Sequence, residues 1–209
     1  MRRLVLESQS PRRKKLLDQI GIPFTVFPCD VDETIDEDVT PCKCVEILST
    51  RKAEYAAREF SERLSTVVLA ADTVVVLHGK ILGKPKNRDE AFEMLSLLEN
   101  KWHQVLTGIT MIDVESGRRL VHVEKTKVKI RKLTADAIWN YIDSGEPLDK
   151  AGAYGIQGLG ALLVEKLDGC YFNVVGLPLF SVSVMLSHMG IDSPLDRNQR
   201  QPEADAQKA

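Results

Sequence analysis

The chain has 209 residues, is 44% hydrophobic and 28% charged, and carries a net charge of −2. This length suits one domain or two small lobes sharing a core, and the weakly acidic balance argues against a general nucleic-acid-binding protein. No apolar stretch reaches the ~20 residues of a membrane helix, residues 1–7 do not resemble a signal peptide, and four cysteines do not make a disulfide framework, so we expect a cytoplasmic protein.

Turn residues and apolar periodicity divide the chain into alternating strands and helices. The predicted strands are Arg3–Leu6, Phe24–Pro28, Val67–Leu77, Trp102–Asp113, Leu120–Lys132 and Ala161–Leu167. The predicted helices cover residues 11–20, about 40–64, 87–98, 134–145 and 178–189. We expect a glycine-rich loop over 145–160, a single domain over 1–192 and a disordered polar tail over 193–209. Together these elements predict an α/β fold with a mixed sheet.

The segment after the first strand carries features of a phosphate site. Ser8, Ser10, Arg12 and Arg13 stand where a strand ends and a helix begins. Helix N-termini present free N–H groups to anions, and arginine can bind a phosphate through two hydrogen bonds. The alternative is a plain helix cap followed by a solvated basic face.

Two charged residues stand inside apolar patterns, where charge is costly unless it is paired. Asp72 interrupts the run Val67–Leu77, and it lies either inside a buried strand or at a break beside a cleft. Lys52 shares a helical face with Val45, Leu48 and Ala56. Its ammonium either extends along this face to solvent or points into a polar pocket.

Further segments are weaker candidates. The acidic residues of 30–38, among them Glu33, are a solvated loop of which one or two members could bind a divalent cation. Lys84 lies in a basic turn, and His103 begins a strand with other polar residues. Gln157 lies in the glycine-rich loop, which permits close approach of a ligand, so this side chain could contact a base edge.

In combination these segments resemble the Maf family of nucleoside triphosphate pyrophosphatases, also described as septum-formation inhibitors. The resemblance runs in family order from residue 4 to about 190. The matching pieces are Ser8-x-Ser10-Pro11-Arg12-Arg13, Asp32-Glu33, Lys52-Ala53, Ala71-Asp72-Thr73, Lys84-Pro85, His103-x-Val105-x-Thr107-Gly108, the segment 144–158 and Val174-Val175-Gly176-Leu177-Pro178.

The resemblance implies a hydrolase that cleaves nucleoside triphosphates to a monophosphate and pyrophosphate, with Mg²⁺ or Mn²⁺ as cofactor. It implies an elongated mixed sheet flanked by helices, with two lobes around a substrate cleft as in the ITPase-like fold, and a homodimer. Asp72 matches the family's proton acceptor, and Glu33, Lys52 and Lys84 match its charged site residues. Glu33 and Asp72 are the implied metal ligands.

The resemblance also implies how the substrate is bound. Ser8, Ser10, Arg12 and Arg13 match the triphosphate-binding segment. Arg12, Thr73 and Gln157 match members that act on dTTP and UTP, whereas members that act on 7-methyl-GTP carry Trp, Gln and Glu there. Glu7 stands where the family more often has Ala, and Trp102 stands where a small or polar residue is usual. We expect Trp102 to pack, either within the chain or at a dimer surface.

The sequence is compatible with two hypotheses for the role of the protein in the cell. The first is an enzyme that cleans the nucleotide pool and arrests cell division. The second is a nucleotide-sensing regulator of septum formation without significant catalysis. An RNA-binding module is disfavoured because the net charge is −2.

Overall fold

A computed structural model describes residues 2–36, 38–63 and 65–195. The strands are β1 (Arg3–Glu7), β2 (Phe24–Val26), β3 (Thr66–Leu77), β4 (Lys80–Leu82), β5 (Trp102–Asp113), β6 (Arg119–Ile130) and β7 (Val164–Asp168). The helices are α1 (Pro11–Gln19), α2 (Pro41–Glu59), α3 (Arg88–Leu98), α4 (Ala135–Asp143), α5 (Tyr171–Val175) and α6 (Leu179–His188). Three short 3-10 turns lie at Glu146–Asp149, Ala151–Ala153 and Gly158–Leu162.

All seven strands belong to one mixed sheet, which confirms the predicted α/β class. The strand order is β2-β1-β3-β5-β6-β7, and β4 pairs with the far end of β3. The β1–β2 and β1–β3 pairs are parallel, and the other pairs are antiparallel. The long strands β3, β5 and β6 make the sheet elongated.

The two faces of β3 pack against different helices, because successive side chains of a strand point to opposite faces. On one face, Val68, Ala70, Val74 and Val76 meet the apolar side of α2. The other face carries two separate cores. One core joins β1, α1 and α6, and the other joins α3 and α4.

Several predicted boundaries were wrong. The helix that begins at Pro41 ends at Glu59, and the predicted end, Leu64, lies outside the described residues. The strand predicted over Phe24–Pro28 ends at Val26, and the strand predicted from Ala161 begins at Val164 because the preceding glycines form a 3-10 turn.

Two elements had no prediction at all. Strand β4 has three residues and α5 has five, too few to show a periodic pattern. The 145–160 loop contains the three 3-10 turns rather than irregular chain throughout. Of the predicted tail, residues 196–209 lie outside the described part of the chain, so the tail stays a prediction.

Candidate active site

A single large cleft brings the predicted site residues together. Its volume is about 1130 Å³. It opens at the sheet edge between β1 and β4. The predicted residues that line it are Ser8, Ser10, Arg12, Arg13, Glu33, Lys52, Asp72, Thr73, Lys84 and Gln157.

Asp72 lies in an uninterrupted strand, which is the first of the two alternatives that the sequence left open. Along one edge of β3, strand β1 pairs as far as Ala70 and strand β4 begins pairing at Val75. In the described part of the chain, neither β1 nor β4 pairs with residues 71–74 on this edge. Asp72 therefore combines a rigid strand, paired with Gly108 of β5 on the other side, with access to the cleft. Its exposed fraction is 9%.

Lys52 points into this polar pocket from α2. Its Nζ lies 2.6 Å from Asp72 Oδ1 and 2.6 Å from Glu33 Oε1. Burial alone would lower the pKa of Lys52, but the charges and hydrogen bonds of Asp72 and Glu33 outweigh burial, so this pKa is raised. For Glu33, burial would raise the pKa, but Lys52 outweighs it and the pKa is lowered. The charged ammonium of Lys52 therefore lies between the charged carboxylates of Glu33 and Asp72.

The approach of α2 to the sheet depends on Gly108 of β5. A Cβ at this position would lie 2.3 Å from the backbone oxygen of Val45 in α2. Only glycine lets the helix backbone come this close. Because Gly108 is paired with Asp72, the close approach occurs beside the carboxylate that Lys52 must reach.

The N-terminus of α1 opens into the cleft with its donors available. Ser10 is the N-cap residue, but its hydroxyl makes no capping hydrogen bond within the described part of the chain. Ser8 Oγ instead accepts a hydrogen bond from Ser10 N at 3.1 Å. The sequence predicted Ser10 as the N-cap residue, and Ser10 occupies that position; residues 10–13 line the cleft.

The two arginines of α1 have different partners. Arg12 Nη1 donates to Asp149 Oδ2 at 2.8 Å, which links α1 to the 3-10 turn across the cleft. Arg13 Nε donates to the carbonyl of Gly176 at 2.8 Å, and its Nη2 donates to Thr73 Oγ1 at 3.0 Å. Burial lowers the pKa of Arg13, while the charges of Asp72 and Glu7 oppose this effect.

The glycine-rich loop that carries Gln157 is fixed by polar contacts. Both carboxylate oxygens of Glu146 accept backbone hydrogen bonds, from Leu159 at 2.9 Å and from Gly160 at 3.2 Å. The carbonyl of Gly83, next to Lys84, accepts a hydrogen bond from Gly152 N at 2.9 Å. Lys84 and Gln157 are therefore held on one wall of the cleft.

Three residues in and behind the cleft wall were missed as site residues. Asp149 holds Arg12, and Thr107 and Asn173 lie behind Thr73. The motifs contained Asp149 and Thr107 but not Asn173, and a single polar residue in a strand, turn or short helix gives no sequence signal of its partner. Their contacts join residues far apart in the chain, so only the tertiary structure identifies them.

Glu7 is buried at the base of the cleft. It is 2% exposed, and its Oε1 accepts a hydrogen bond from Cys29 Sγ at 3.2 Å. Burial raises the pKa of Glu7 and raises the pKa of Cys29 to about 12. The acid that departs from the family pattern is therefore enclosed beside residues 8–13 rather than solvated.

Other candidates lie outside the cleft. His103 is buried, and its Nε2 lies 2.6 Å from the hydroxyl of Tyr154. Asp32 accepts a hydrogen bond from Thr34 N in an exposed turn. Trp102 is 46% exposed, so it is not buried within this chain, and packing at a dimer surface stays a prediction.

The donor set of the cleft fits a divalent cation only together with a ligand. Within residues 2–36, 38–63 and 65–195, no three His, Cys, Asp or Glu side chains cluster closely enough to hold a metal by themselves. Glu33 and Asp72, however, meet at one ammonium and each retains a second carboxylate oxygen. Mg²⁺ commonly uses one or two carboxylates, with waters and substrate phosphates completing its shell.

Comparison with known proteins identifies the family. The family model described as Maf-like protein matches residues 3–189, so the chain belongs to the Maf family. A dTTP/UTP pyrophosphatase of Caldicellulosiruptor bescii is 47% identical over 193 residues, which cover 92% of this chain and 97% of that protein. A dTTP/UTP pyrophosphatase of Acetivibrio thermocellus is 48% identical over 195 residues, covering 91% and 97%.

Among solved structures, the Ham1 protein of Staphylococcus aureus superposes with a TM-score of 0.45 at 19% identity. The superposition covers 62% of this chain and 72% of that protein. This similarity is too low to indicate function. In the described residues no helix is long and apolar enough to cross a membrane.

Proposed function

We propose that this chain hydrolyses nucleoside triphosphates, with dTTP and UTP as preferred substrates, to a nucleoside monophosphate and pyrophosphate. The observation that carries the proposal is the meeting of a phosphate-binding helix N-terminus and a Glu33–Lys52–Asp72 cluster in one cleft. Two relatives that the chain matches almost end to end are dTTP/UTP pyrophosphatases. Family membership and site chemistry thus support the same reaction.

The triphosphate is the part of the substrate that the cationic wall of the cleft suits. A triphosphate carries about four negative charges near neutral pH. The groups proposed to neutralise and bind it are Ser8, Ser10, Arg12, Arg13, Lys52 and Lys84. The N–H groups at the start of α1 add a partial positive charge at the same place.

Asp72 is the residue proposed to orient and deprotonate the attacking water. Its carboxylate is fixed on a strand and held by Lys52 at 2.6 Å, so its position is set before substrate arrives. Carboxylates act as general bases when they lie within hydrogen-bond reach of the water they activate. Lys52 neutralises this carboxylate in the free protein and is close enough to help neutralise the phosphates when the substrate binds.

Glu33 and Asp72 are the proposed ligands of a divalent cation, Mg²⁺ or Mn²⁺. When bound, such a cation neutralises charge on the phosphates and stabilises the leaving pyrophosphate. A carboxylate that binds metal is a weaker base, so the two roles proposed for Asp72 compete. Glu33, which is the more exposed of the two side chains, is free to bind metal without this conflict.

Gln157 is the proposed contact for the base. A glutamine amide offers both a donor and an acceptor, as do the edges of thymine and uracil. The loop is held in place by Glu146, so the amide is presented from a defined backbone. Gln157, together with Arg12 and Thr73, supports a preference for dTTP and UTP rather than for 7-methyl-GTP.

We further propose that the chain acts as a cytoplasmic homodimer that removes unwanted nucleotides, and that it restrains cell division. The four cysteines are free thiols, which suits a reducing compartment. The half-exposed Trp102 is a large apolar side chain suited to burial against a second copy. Light scattering of the purified protein tests the dimer: a monomer mass at micromolar concentration contradicts it.

The experiment that tests the activity is a substrate panel. The full chain is incubated with Mg²⁺ or Mn²⁺ and dTTP, UTP, CTP, ATP, GTP or 7-methyl-GTP, and products are separated by anion-exchange chromatography. We expect monophosphate and pyrophosphate from dTTP and UTP, and no turnover in EDTA. Cleavage of 7-methyl-GTP in preference contradicts the specificity assigned to Arg12, Thr73 and Gln157.

The same panel separates enzyme from regulator. A nucleotide-sensing regulator binds dTTP or UTP without releasing pyrophosphate. The Glu33–Lys52–Asp72 cluster favours the enzyme, because simple sensing of a triphosphate does not require two carboxylates among the cations. Binding without turnover in either metal contradicts the proposed activity.

A further inference from the structure

Arg13 is connected to a chain of buried polar groups that runs between the two cores of the sheet. Arg13 Nη2 donates to Thr73 Oγ1 at 3.0 Å, and Thr73 Oγ1 lies 2.9 Å from Thr107 Oγ1. Thr107 Oγ1 in turn donates to the backbone carbonyl of Asn173 at 3.1 Å. Thr107 and Asn173 are completely buried and lie behind the cleft lining that the described residues form.

The direction of this chain is fixed by counting hydrogens. A threonine hydroxyl has one hydrogen to donate, and a backbone carbonyl can only accept. Thr107 therefore donates its hydrogen to Asn173, so Thr73 must donate to Thr107. The lone pairs of Thr73 are left to accept from Arg13. Every bond then runs the same way, from Arg13 to Asn173, and each bond polarises the next.

Asn173, at the far end of this series of hydrogen bonds, is itself held by two hydrogen bonds. The amide nitrogen of Asn173 donates to the carbonyl of Val105 at 3.0 Å and to Thr126 Oγ1 at 2.9 Å. Reversing the amide would place its oxygen against the Val105 carbonyl, so the orientation is determined. Three residues further on, the Gly176 carbonyl accepts from Arg13 Nε. Both contacts of Arg13 therefore lead to the segment 173–176.

These contacts decide which part of Arg13 is available. In the described part of the chain, the protein uses Nε and one hydrogen of Nη2, which leaves Nη1 and the second Nη2 hydrogen for a ligand. Two such hydrogens on one guanidinium edge match the oxygens of a phosphate. The hydrogen bonds to the hydroxyls thus determine that the Nη1–Nη2 edge of Arg13 is the one left to donate to an anion.

We infer that Thr107 and Asn173 are positioning residues that, through Thr73, set the direction of Arg13 toward the triphosphate. The inference rests on the proposed function in one respect, since it takes Arg13 to bind phosphate. It adds a second role for Thr73, the positioning of Arg13, to the match with members that act on dTTP and UTP. Because Arg13 is taken to bind the triphosphate, a change in its direction should affect dTTP, UTP and CTP equally.

The test is Thr107→Val, which removes the hydroxyl and keeps the shape. Two quantities are measured: the affinity for inorganic pyrophosphate with Mg²⁺ by calorimetry, and kcat/KM for dTTP, UTP and CTP. We expect both to fall about 10-fold or more, the typical effect of losing support for a charged hydrogen bond. We expect the ratios among the three nucleotides to stay unchanged.

Thr110→Val is the matched control. Thr110 is on the same strand and equally buried, but its hydroxyl bonds Ser49 Oγ at 2.9 Å on the α2 face of the sheet. We expect it to lose stability without changing pyrophosphate affinity. A similar loss of affinity in both variants would mean that any buried hydroxyl of β5 has this effect, which would overturn the inference.

A second pair of variants decides the matter if Thr107→Val does not fold. Thr73→Val should lose pyrophosphate affinity, and Thr73→Ser, which keeps the hydroxyl, should retain most of it. Unchanged affinity in Thr73→Val, or a change only in the ratio of dTTP to CTP turnover, overturns the inference. An unaltered protein that binds no pyrophosphate overturns the proposed function and the inference together; one that binds it without turnover leaves the inference testable by affinity alone.

Discussion

At the scale of single residues, the site depends on one ammonium between two carboxylates. The Lys52 side chain is 12% exposed and lies 2.6 Å from both Glu33 and Asp72. Removing one member of a buried charged group is costly because it leaves the others unpaired. The two carboxylates differ in exposure: Asp72 is enclosed on a rigid strand, whereas the side chain of Glu33 is more than half exposed.

Asp72→Asn is the residue change that tests the proposed base. The amide keeps the shape, and Glu33 still faces Lys52, so we expect the protein to fold. Turnover of dTTP should fall at least ~10²-fold, the lower end of general-base effects. Asp143→Asn, which alters a surface ion pair with Arg88, is the control and should leave turnover unchanged. Near-normal turnover in Asp72→Asn would exclude Asp72 from the chemistry.

We expect the burial of His103 to make the stability of the protein depend on pH. Burial lowers its pKa from 6.5 to about 4. Between these values the unfolded chain binds more protons than the folded chain, so stability falls as pH decreases. We expect a loss of about 2 kcal/mol between pH 7 and pH 5, measured by urea unfolding.

His103→Gln should remove most of this loss, since glutamine is uncharged and can still bond Tyr154. The lowered pKa of Glu33, Asp113 and Asp149 has its effect only below their ordinary values of 4.5 and 3.8. The raised pKa of Glu7 has the opposite sign and is the same in both proteins. An equal pH dependence in the two proteins would contradict the assignment to His103.

At the scale of elements, the contact of α2 with the sheet sets the site. Lys52 reaches Asp72 only because Gly108 lets the α2 backbone lie against β5. The helical periodicity of the sequence identified the face that carries Lys52. It could not identify Gly108, because a close approach between two elements depends on their packing and not on either local pattern.

Gly108→Ala tests this contact. The added methyl group would lie 2.3 Å from the Val45 carbonyl, so α2 must move away from the sheet. Such overpacking typically costs about 1–3 kcal/mol. We expect lower stability and, because Lys52 shifts with the helix, a fall in dTTP turnover measured below the unfolding temperature.

The control is Asn87→Ala, which removes the cap hydrogen bond to Glu90 N at the start of α3. Loss of such a cap costs about 1 kcal/mol. Turnover of the folded protein should not change, because α3 is remote from the Lys52–Asp72 contact. A Gly108→Ala protein that is destabilised but fully active would show that the close approach serves stability alone.

Element prediction from sequence succeeded where patterns were long. Val67–Leu77, Trp102–Asp113 and 87–98 were predicted to within a residue, because apolar runs and the Asn87 cap define them. Short β4 and α5 were missed. This mattered for function, since β4 helps to define the edge beside Asp72 and α5 carries Asn173.

At the scale of the whole molecule, the cleft forms where the sheet edge is left open between β1 and β4. Thr73 and Thr107 occupy the boundary between the two cores on one face, so polar groups replace apolar packing there. Family motifs identified ten residues that line this cleft. The residue patterns of a single sequence do not predict the order of the strands, so they could not predict the open edge between β1 and β4.

Ligand binding across this cleft should stabilise the entire fold. A ligand that binds only the folded state adds about 2.7 kcal/mol at 100 times its Kd. We expect a non-hydrolysable dTTP analogue with Mg²⁺ to raise the thermal unfolding temperature, and Arg13→Ala to reduce the rise strongly. An equal rise in both proteins would place the triphosphate away from Arg13.

The measurement that tests the central claim most directly is ³¹P NMR of a dTTP reaction with Mg²⁺, using the full chain. The account predicts that pyrophosphate and dTMP appear together in equal amounts, with no dTDP at any time. Release of orthophosphate with dTDP would contradict it, because the cleft would then cleave the terminal phosphate rather than the bond between the α and β phosphates.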